Sequence, residues 1–205
     1  EQHAVGPLVE PEPLEDRRPF GVQCPRHGGC RERVAQVMHT PDRQRQLADD
    51  ASISHVLLVH CETSSGTLNP LEEIARITAA QGRKLLIDAV STFGAFDLNA
   101  TRLDYEAVAT SPNKCLEGVP GCAIVFAPKE ALQASLGNAQ SHSLDLADQW
   151  QQFEETGQWR FTPPTFVIAA LAEALRLHKA EGGNIARLAR YRANHERCLA
   201  GMRSM

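Results

Sequence analysis

Two residues of complementary chemistry, Asp88 and Lys114, each come after a short apolar run. The first segment reads L-L-I-D-A-V-S-T-F-G from Leu85, and the second reads A-V-A-T-S-P-N-K-C-L-E-G-V-P-G from Ala107. A lysine amine can form an imine with an aldehyde, and a carboxylate can keep a pyridine nitrogen protonated. These two groups are what pyridoxal phosphate chemistry needs. We therefore interpret Lys114 as the residue that binds this cofactor and Asp88 as the partner of its ring nitrogen.

Each of these residues also has a simpler interpretation. Asp88 can cap a helix or bind a metal, and Lys114 can be a surface lysine, which is the commoner case for a single lysine. Cys115 has no histidine base close to it in sequence, which favours a packing role. Ligands of a doubly wound sheet lie beyond the carboxyl ends of its strands, where Asp88 and Lys114 are both expected. Their positions after successive predicted strands favour the cofactor interpretation.

Hydroxyl groups in two further segments are candidate ligands. The segment E-T-S-S-G, at 62–66, follows the first predicted strand, and its hydroxyls can bind a cofactor or a substrate; the alternative is a polar turn. Thr162, in W-R-F-T-P-P, precedes a predicted helix, where a hydroxyl is suited to a phosphate. The alternative for Thr162 is a helix cap.

An α/β arrangement of strands is needed to position these residues. Short apolar runs predict strands at 56–59, 84–88, 107–110 and 123–127. A helix between the first two strands has the length of a parallel crossover. The turn at 118–121 is too short for such a crossover, so the fourth strand should run antiparallel to the third.

Capping residues and glycines predict where the helices begin and end. Asn69 can cap the crossover helix, Glu72 can complete a capping box, and Gly82 ends this helix. Asn184 is the predicted cap of the last helix. Two shorter helices are predicted at 129–136 and 144–154, and a long amphipathic helix ends at Gly182 and Gly183. On the inner side of the last helix we expect Ile185, Leu188, Tyr191 and Met202.

Residues 1–50 predict an irregular or degenerate N-terminal arm, because prolines interrupt every periodic pattern. Within it, a short helix is expected at 31–39. The motif C-P-R-H-G-G-C, at 24–30, offers only three metal ligands, whereas structural zinc takes four, so no metal site is predicted.

Composition excludes several classes of partner. The net charge is −4 and no basic run is present, which disfavours nucleic acid. No apolar run is long enough to span a membrane, and the first residues have no secretory signal pattern. The six cysteines are irregularly spaced, as is typical of reduced thiols in a cytoplasmic protein.

Four segments from about His55 onward resemble a known family. They read H-C-E-T-S-S-G-T-L-N-P-L-E-E-I, L-L-I-D-A-V-S-T-F-G, S-P-N-K-C-L-E-G-V-P-G and G-Q-W-R-F-T-P-P-T. In this order they are similar to the class V aminotransferase group of fold-type I pyridoxal phosphate enzymes. Their particular forms, with S-H-S-L-D-L-A-D-Q-W, resemble the members that transfer the amino group of 2-aminoethylphosphonate to pyruvate. The products of that reaction are phosphonoacetaldehyde and alanine.

The resemblance implies a role for each matching residue. Lys114 would form the imine with pyridoxal phosphate and move the proton between the amine carbon and the cofactor carbon. Asp88 would pair with the pyridine nitrogen, and Val90 would pack on one face of the ring. Thr63 would contact the phenolate side of the cofactor, and Asn113 would lie near its phosphate.

The same resemblance implies a homodimer with shared sites. Thr162 would reach the phosphate of the cofactor in the neighbouring subunit. The family fold is a three-layer, mostly parallel sheet, of which this chain is expected to hold the large domain truncated at both ends.

Two parts of the family pattern have no match in the chain. Residues 1–54 show no Gly/Ser/Thr-rich phosphate turn, and we expect the chain to lack the C-terminal domain that supplies a carboxylate-binding arginine. We therefore expect an arm at 1–50, a partial cofactor-binding domain at 51–180, and at 181–205 the start of a helix leading to that domain. Two alternatives remain at this point: another class V aminotransferase, of the alanine–glyoxylate type, and a non-catalytic remnant.

Overall fold

A six-stranded sheet forms the centre of the fold in the computed structural model, which describes residues 22–25, 31–37 and 47–205. Each strand is hydrogen-bonded to the next in chain order. The described strands are β1 (Val22–Pro25), β2 (Arg31–Val37), β3 (Ile53–Val59), β4 (Lys84–Asp88), β5 (Ala107–Thr110) and β6 (Ile124–Phe126).

Strands β2 to β5 are parallel, whereas β1 and β6 run antiparallel to their neighbours. The strands predicted at 84–88 and 107–110 are confirmed, as is the antiparallel direction of the strand after the 118–121 turn. This is the expected α/β fold class with a mostly parallel sheet.

The helix predicted at 31–39 is wrong for Arg31–Val37, which form β2. This segment pairs on both sides, with β1 and with β3, so its backbone hydrogen bonds are made in the sheet. Such tertiary pairing overrides a weak helical pattern. An irregular arm is also wrong for the described residues of this region, since 22–25 and 31–37 are both strands; His27 and Cys30 of the candidate metal motif lie outside the described residues.

Helices lie between β3 and β4 and after β6 in the chain, and the last of them ends at Arg203. No helix among the described residues is both long enough and apolar enough to cross a membrane. Their bounds are α1 (Leu71–Ala80), α2 (Lys129–Ala134), α3 (Leu146–Thr156), α4 (Thr165–Glu181) and α5 (Gly183–Arg203), with a 3-10 turn at His142–Leu144.

Two predicted helix caps are wrong. The N-cap of α1 is Pro70, and the Asn69 side chain instead donates to the carbonyl oxygen of Val59 at 2.7 Å, which ties the helix start to the end of β3. The N-cap of α5 is Gly182, whose φ of 112° lets the chain leave α4 and begin α5 at once, so Asn184 lies inside the helix. Backbone geometry that needs glycine, rather than a side-chain cap, decides this boundary.

The core lies between the sheet and α1. Burying each large aliphatic side chain contributes about 1.5–3 kcal/mol. The central strands supply most of these side chains, at alternate positions that point to the same face of the sheet. The core includes Val56, Leu58, Ile74, Leu85, Ile87 and Val108, each less than a tenth exposed.

The inner side of α5 differs from the prediction. Ile185 is 80% exposed and Met202 is 58% exposed, whereas Arg187 is only 2% exposed. A charged side chain occupies the buried position because α5 packs against polar groups rather than against the apolar core.

Two carboxylates meet two guanidinium groups where α4 and α5 join. Arg187 Nε and Nη2 bind Oε2 of Glu181 at 2.8 and 2.7 Å, and Arg190 Nε binds its Oε1 at 2.9 Å. Glu117, from the turn after β5, accepts from Arg190 at 2.8 Å and from the Tyr191 hydroxyl at 2.9 Å. We call these five residues the α4–α5 network.

The network lowers the pKa of both its carboxylates. Hydrogen bonds from Arg190 and then Arg187 lower the pKa of Glu181 from 4.5 to about 2. Burial alone would raise the pKa of Glu117, but hydrogen bonds from Arg190 and Tyr191 lower it below its ordinary value.

Acid should weaken the contribution of Glu181 to stability. Because its pKa is lower in the folded chain, this contribution is fully present above about pH 4.5 and is lost as the pH falls through about 2. Urea unfolding of the wild type and of Glu181→Gln should therefore give a difference in unfolding free energy that shrinks across this interval. Glu196→Gln, at an exposed position on α5, is the control. A difference that stays constant with pH would contradict the assignment.

Gly94, in the loop after β4, should not tolerate a side chain. Its φ is +93°, and an added Cβ would lie 2.7 Å from Cδ2 of the buried Leu116. Overpacking typically costs about 1–3 kcal/mol, in addition to backbone strain. Gly94→Ala should thus lower the unfolding free energy more than Gly66→Ala, whose φ is +72° but whose Cβ would meet nothing within 4 Å. If urea unfolding gave equal decreases in unfolding free energy for the two variants, the contact with Leu116 would not be the cause of the destabilisation.

Candidate active site

The carboxyl ends of β3, β4 and β5 meet at one edge of the sheet. Asp88 is the last residue of β4, and it lies in register with Val59 of β3 and Ala109 of β5. Its carbonyl oxygen accepts from the His60 N–H at 2.9 Å, and the next residue donates to the Ala109 carbonyl at 2.8 Å. The backbone of Asp88 is therefore held from both neighbouring strands.

The Asp88 carboxylate is half-buried and partly fixed. Its Oδ1 accepts a hydrogen bond of 2.9 Å from the backbone N–H of Val90. The residues that follow form turns rather than a helix, so the helix-cap interpretation does not hold. No group of three metal-ligating side chains occurs among the described residues, and the metal interpretation has no support there.

Thr63 lies close to the loop that follows Asp88. Its hydroxyl oxygen is 2.7 Å from the hydroxyl oxygen of Ser91. The 62–67 loop is itself closed by two backbone hydrogen bonds, from Glu62 N–H to the Thr67 carbonyl and from Gly66 N–H to the Glu62 carbonyl. Two loops from adjacent strands thus present hydroxyl groups at the same place.

His60 is a residue of this edge that sequence reasoning missed. It is buried, its Nδ1 lies 2.9 Å from the Thr92 hydroxyl, and its ring meets the Phe96 ring edge-on at 5.5 Å. Burial lowers the pKa of His60, which favours the neutral ring. Its place directly after the first apolar run was the available signal. The contacts fix the loop from Ala89 to Phe96.

The turn at 114–118 places Lys114 beyond β5. Glu117 N–H donates to the Lys114 carbonyl at 2.8 Å, and Gly118 N–H donates to the Pro112 carbonyl at 2.7 Å. The Lys114 side chain is exposed. Asn113 is also exposed, and its Oδ1 accepts from the Ser111 hydroxyl at 2.8 Å.

Cys115 ties this turn to the loop after Asp88. Its thiol donates to the carbonyl oxygen of Ser91 at 3.3 Å. Burial raises the pKa of the Cys115 thiol, which keeps it protonated and able to donate. A packing and anchoring role, rather than a nucleophilic one, fits this environment.

Thr162 is exposed, and it does not cap α4. The N-cap of α4 is Pro164, and no side chain bonds there. The segment containing Thr162 is held by Arg160, another residue that sequence reasoning missed, whose side chain is 12% exposed. Arg160 donates to the His142 carbonyl at 3.1 Å and pairs with Asp148 at 3.2 Å.

Hydrogen bonds bring together only some of the predicted site residues. Within the described chain, Asp88 is bonded to Val90, and Thr63 is bonded to the loop that follows them. No side-chain hydrogen bond there joins Asp88 to Lys114, Asn113 or Thr162. The arrangement is a carboxylate, an exposed amine and hydroxyls at the carboxyl edge of a parallel sheet, which is where such folds bind ligands.

Comparison with known families identifies the same group that the motifs resemble. The family described as aminotransferase class V matches residues 30–205. A 2-aminoethylphosphonate–pyruvate transaminase of Paraburkholderia xenovorans is 55% identical over 162 residues, which is 79% of this chain and 42% of the relative. The enzyme of that name from Pseudomonas putida is 53% identical over 161 residues, or 78% of this chain and 44% of the relative. The chain thus spans less than half the length of these relatives.

Solved structures agree on the fold. The ureidoglycine–glyoxylate aminotransferase of Bacillus subtilis is similar with a TM-score of 0.72 and 25% identity, over 83% of this chain and 44% of that one. The pyridoxamine–pyruvate aminotransferase of Mesorhizobium loti has a TM-score of 0.66 and 28% identity, over 76% of this chain and 40% of that one. The fold-type I architecture expected from the motifs is confirmed. The chain belongs to the class V aminotransferase family.

Proposed function

We propose that this protein is a transaminase that moves the amino group of 2-aminoethylphosphonate to pyruvate, giving phosphonoacetaldehyde and alanine. The observation that carries the proposal is the identity of 55% and 53% to relatives with that name, over nearly four-fifths of the chain. The glyoxylate-using structural relative is 25% identical, so the alanine–glyoxylate alternative has weaker support.

Pyridoxal phosphate is the cofactor that the family implies. The donor set at the sheet edge fits it, because the half-buried Asp88 carboxylate has one oxygen held by Val90 N–H and the Lys114 amine is exposed. When bound, pyridoxal phosphate supplies an electron-accepting ring and a carbonyl carbon that takes up the amino group. Every other part of the chemistry needs groups of the protein.

Lys114 Nζ would bind the cofactor through its carbonyl carbon. As a free amine, Lys114 would move a proton between the amine-bearing carbon of the substrate and the cofactor carbon. Asp88 would accept a hydrogen bond from the ring N–H and keep that nitrogen protonated. The hydrogen bond from Val90 N–H leaves one Asp88 oxygen oriented for this purpose.

The remaining site residues would bind and orient the cofactor. Val90 would pack on one face of the ring, and the Thr63 hydroxyl would contact its phenolate side. Asn113 would lie near the phosphate, and Thr162 would contact the phosphate of the cofactor in a partner subunit. A homodimer with shared sites follows from this assignment. The cytoplasm is the proposed compartment, because Cys61, Cys115, Cys122 and Cys198 are free thiols.

Pyridoxal phosphate should form a covalent bond with Lys114. Titration with the cofactor, borohydride reduction and peptide mapping should give one dominant modified peptide, and Lys114→Ala should abolish it. Lys129→Ala, which removes an exposed lysine paired with Glu154, is the matched control and should keep the label. Label spread evenly over surface lysines would contradict the proposed site.

The amino donor should be selective for 2-aminoethylphosphonate. We expect kcat/KM for alanine formation from pyruvate to be at least about tenfold higher with this donor than with glycine or serine, equivalent to about 1.4 kcal/mol of transition-state binding. Transfer from alanine to glyoxylate tests the alternative in the same preparation. A higher kcat/KM for alanine and glyoxylate would contradict the proposed phosphonate substrate. It would still agree with a transaminase.

A further inference from the structure

We propose that Arg187 is a positioning residue, which holds the 114–118 turn in place and thereby sets the location of the Lys114 amine. The inference rests on the proposed function, because it gives the Lys114 amine its role. Arg187 lies on α5 and has no place in the proposed chemistry itself. Its connection to the site is through the backbone of the turn.

The contact that matters is with the residue directly after Lys114. Nη1 of Arg187 donates to the carbonyl oxygen of Cys115, and the same nitrogen lies 3.4 Å from Oε2 of Glu117. The Arg187 side chain is buried. A guanidinium group thus binds the backbone and a side chain of the same turn.

The other side of the guanidinium is fixed by α4. Its Nε and Nη2 both bind Oε2 of Glu181, the last residue of that helix. A planar guanidinium offers donors in a rigid fork, so it can hold this carboxylate and the Cys115 carbonyl at once. An ammonium group is a point charge without this geometry, and lysine at 187 would not reproduce both sets of contacts.

The turn also has a backbone conformation that needs support. Glu117 has a φ of +58°, a region that residues other than glycine rarely adopt, and within the described chain no other non-glycine residue has a positive φ. Its carboxylate is held by Arg190 at 2.8 Å and by Tyr191 at 2.9 Å. Its N–H closes the turn on the Lys114 carbonyl. The α4–α5 network therefore stabilises the conformation of the turn as well as its location.

Cys115 is held from two directions. Its thiol binds the Ser91 carbonyl in the loop after Asp88, and its carbonyl binds Arg187. The first contact sets the distance between the turn and the Asp88 loop, and the second sets the orientation of the turn against α5. Loss of Arg187 removes only the second, so the turn should loosen without leaving the sheet edge.

A buried ion pair is weak evidence for stability, because desolvation offsets much of the attraction between the charges. The network has two carboxylates and two guanidinium groups, and it binds one particular turn. The contacts of the network therefore fit a role in positioning the 114–118 turn better than a role in overall stability.

The test compares Arg187→Lys and Tyr191→Phe with Arg176→Lys, which alters an exposed ion pair with Glu173 on α4. Hydrogen exchange of the backbone amides of 115–118 measures how firmly the turn is held, and it needs no cofactor. The rate of reducible adduct formation on Lys114 measures the position of the amine. A displacement of about 1 Å can cost roughly a hundredfold in rate, so we expect Arg187→Lys to slow adduct formation by at least about tenfold.

Faster amide exchange in the turn together with slower adduct formation in Arg187→Lys, and neither in Arg176→Lys, is the expected result. Tyr191→Phe removes one hydrogen bond to Glu117 and should give a smaller change in the same direction, which keeps the test informative if Arg187→Lys folds poorly. Unchanged exchange in the turn would overturn the proposal, and so would faster exchange with unchanged adduct formation. Absence of any Lys114 adduct in the wild type would overturn the proposed function and with it the role of Arg187 toward the amine.

Discussion

Parallel pairing of β3, β4 and β5 is the constraint on which the candidate site depends. Because parallel strands end at the same edge, three loops that are distant in sequence begin side by side, each one strand spacing from the next. Asp88 lies in the middle of this edge, in register with residues of both neighbouring strands. A shift of one residue in β4 would turn its side chain to the opposite face of the sheet. The buried aliphatic side chains of the central strands prevent that shift.

Polar contacts between the loops then fix what the strands bring together. Ser91 accepts the Cys115 thiol through its carbonyl and meets Thr63 through its hydroxyl, so one residue joins the loops after β3, β4 and β5. The buried contact between His60 and Thr92 also holds the loop after β4. These contacts are neutral and short, and they fix the loops without placing extra charge beside Asp88.

Charge is concentrated instead at the corner between α4 and α5. Arg187 is buried there because the Glu181 and Glu117 carboxylates balance its charge and the Cys115 carbonyl accepts a hydrogen bond from its Nη1. The corner joins helices that are distant from the sheet edge in sequence to the turn that contains Lys114. This link gives α5 a structural reason to hold a charged residue on its inner side.

The sequence by itself determined the approximate positions of β3 to β6, the antiparallel direction of β6, the family and the candidate pair of Asp88 and Lys114. Strong apolar runs and ordered motifs are local signals, and they need no knowledge of the partners. Tertiary structure alone decided the strand at Arg31–Val37, the start of α5 at a left-handed glycine, and the burial of Arg187 in place of Ile185. It also decided the roles of His60 and Arg160, because their contacts lie 32 and 18 residues away in the chain. Pairing and ion contacts between distant segments leave no periodic trace in a single sequence, which is why only the folded chain reveals them.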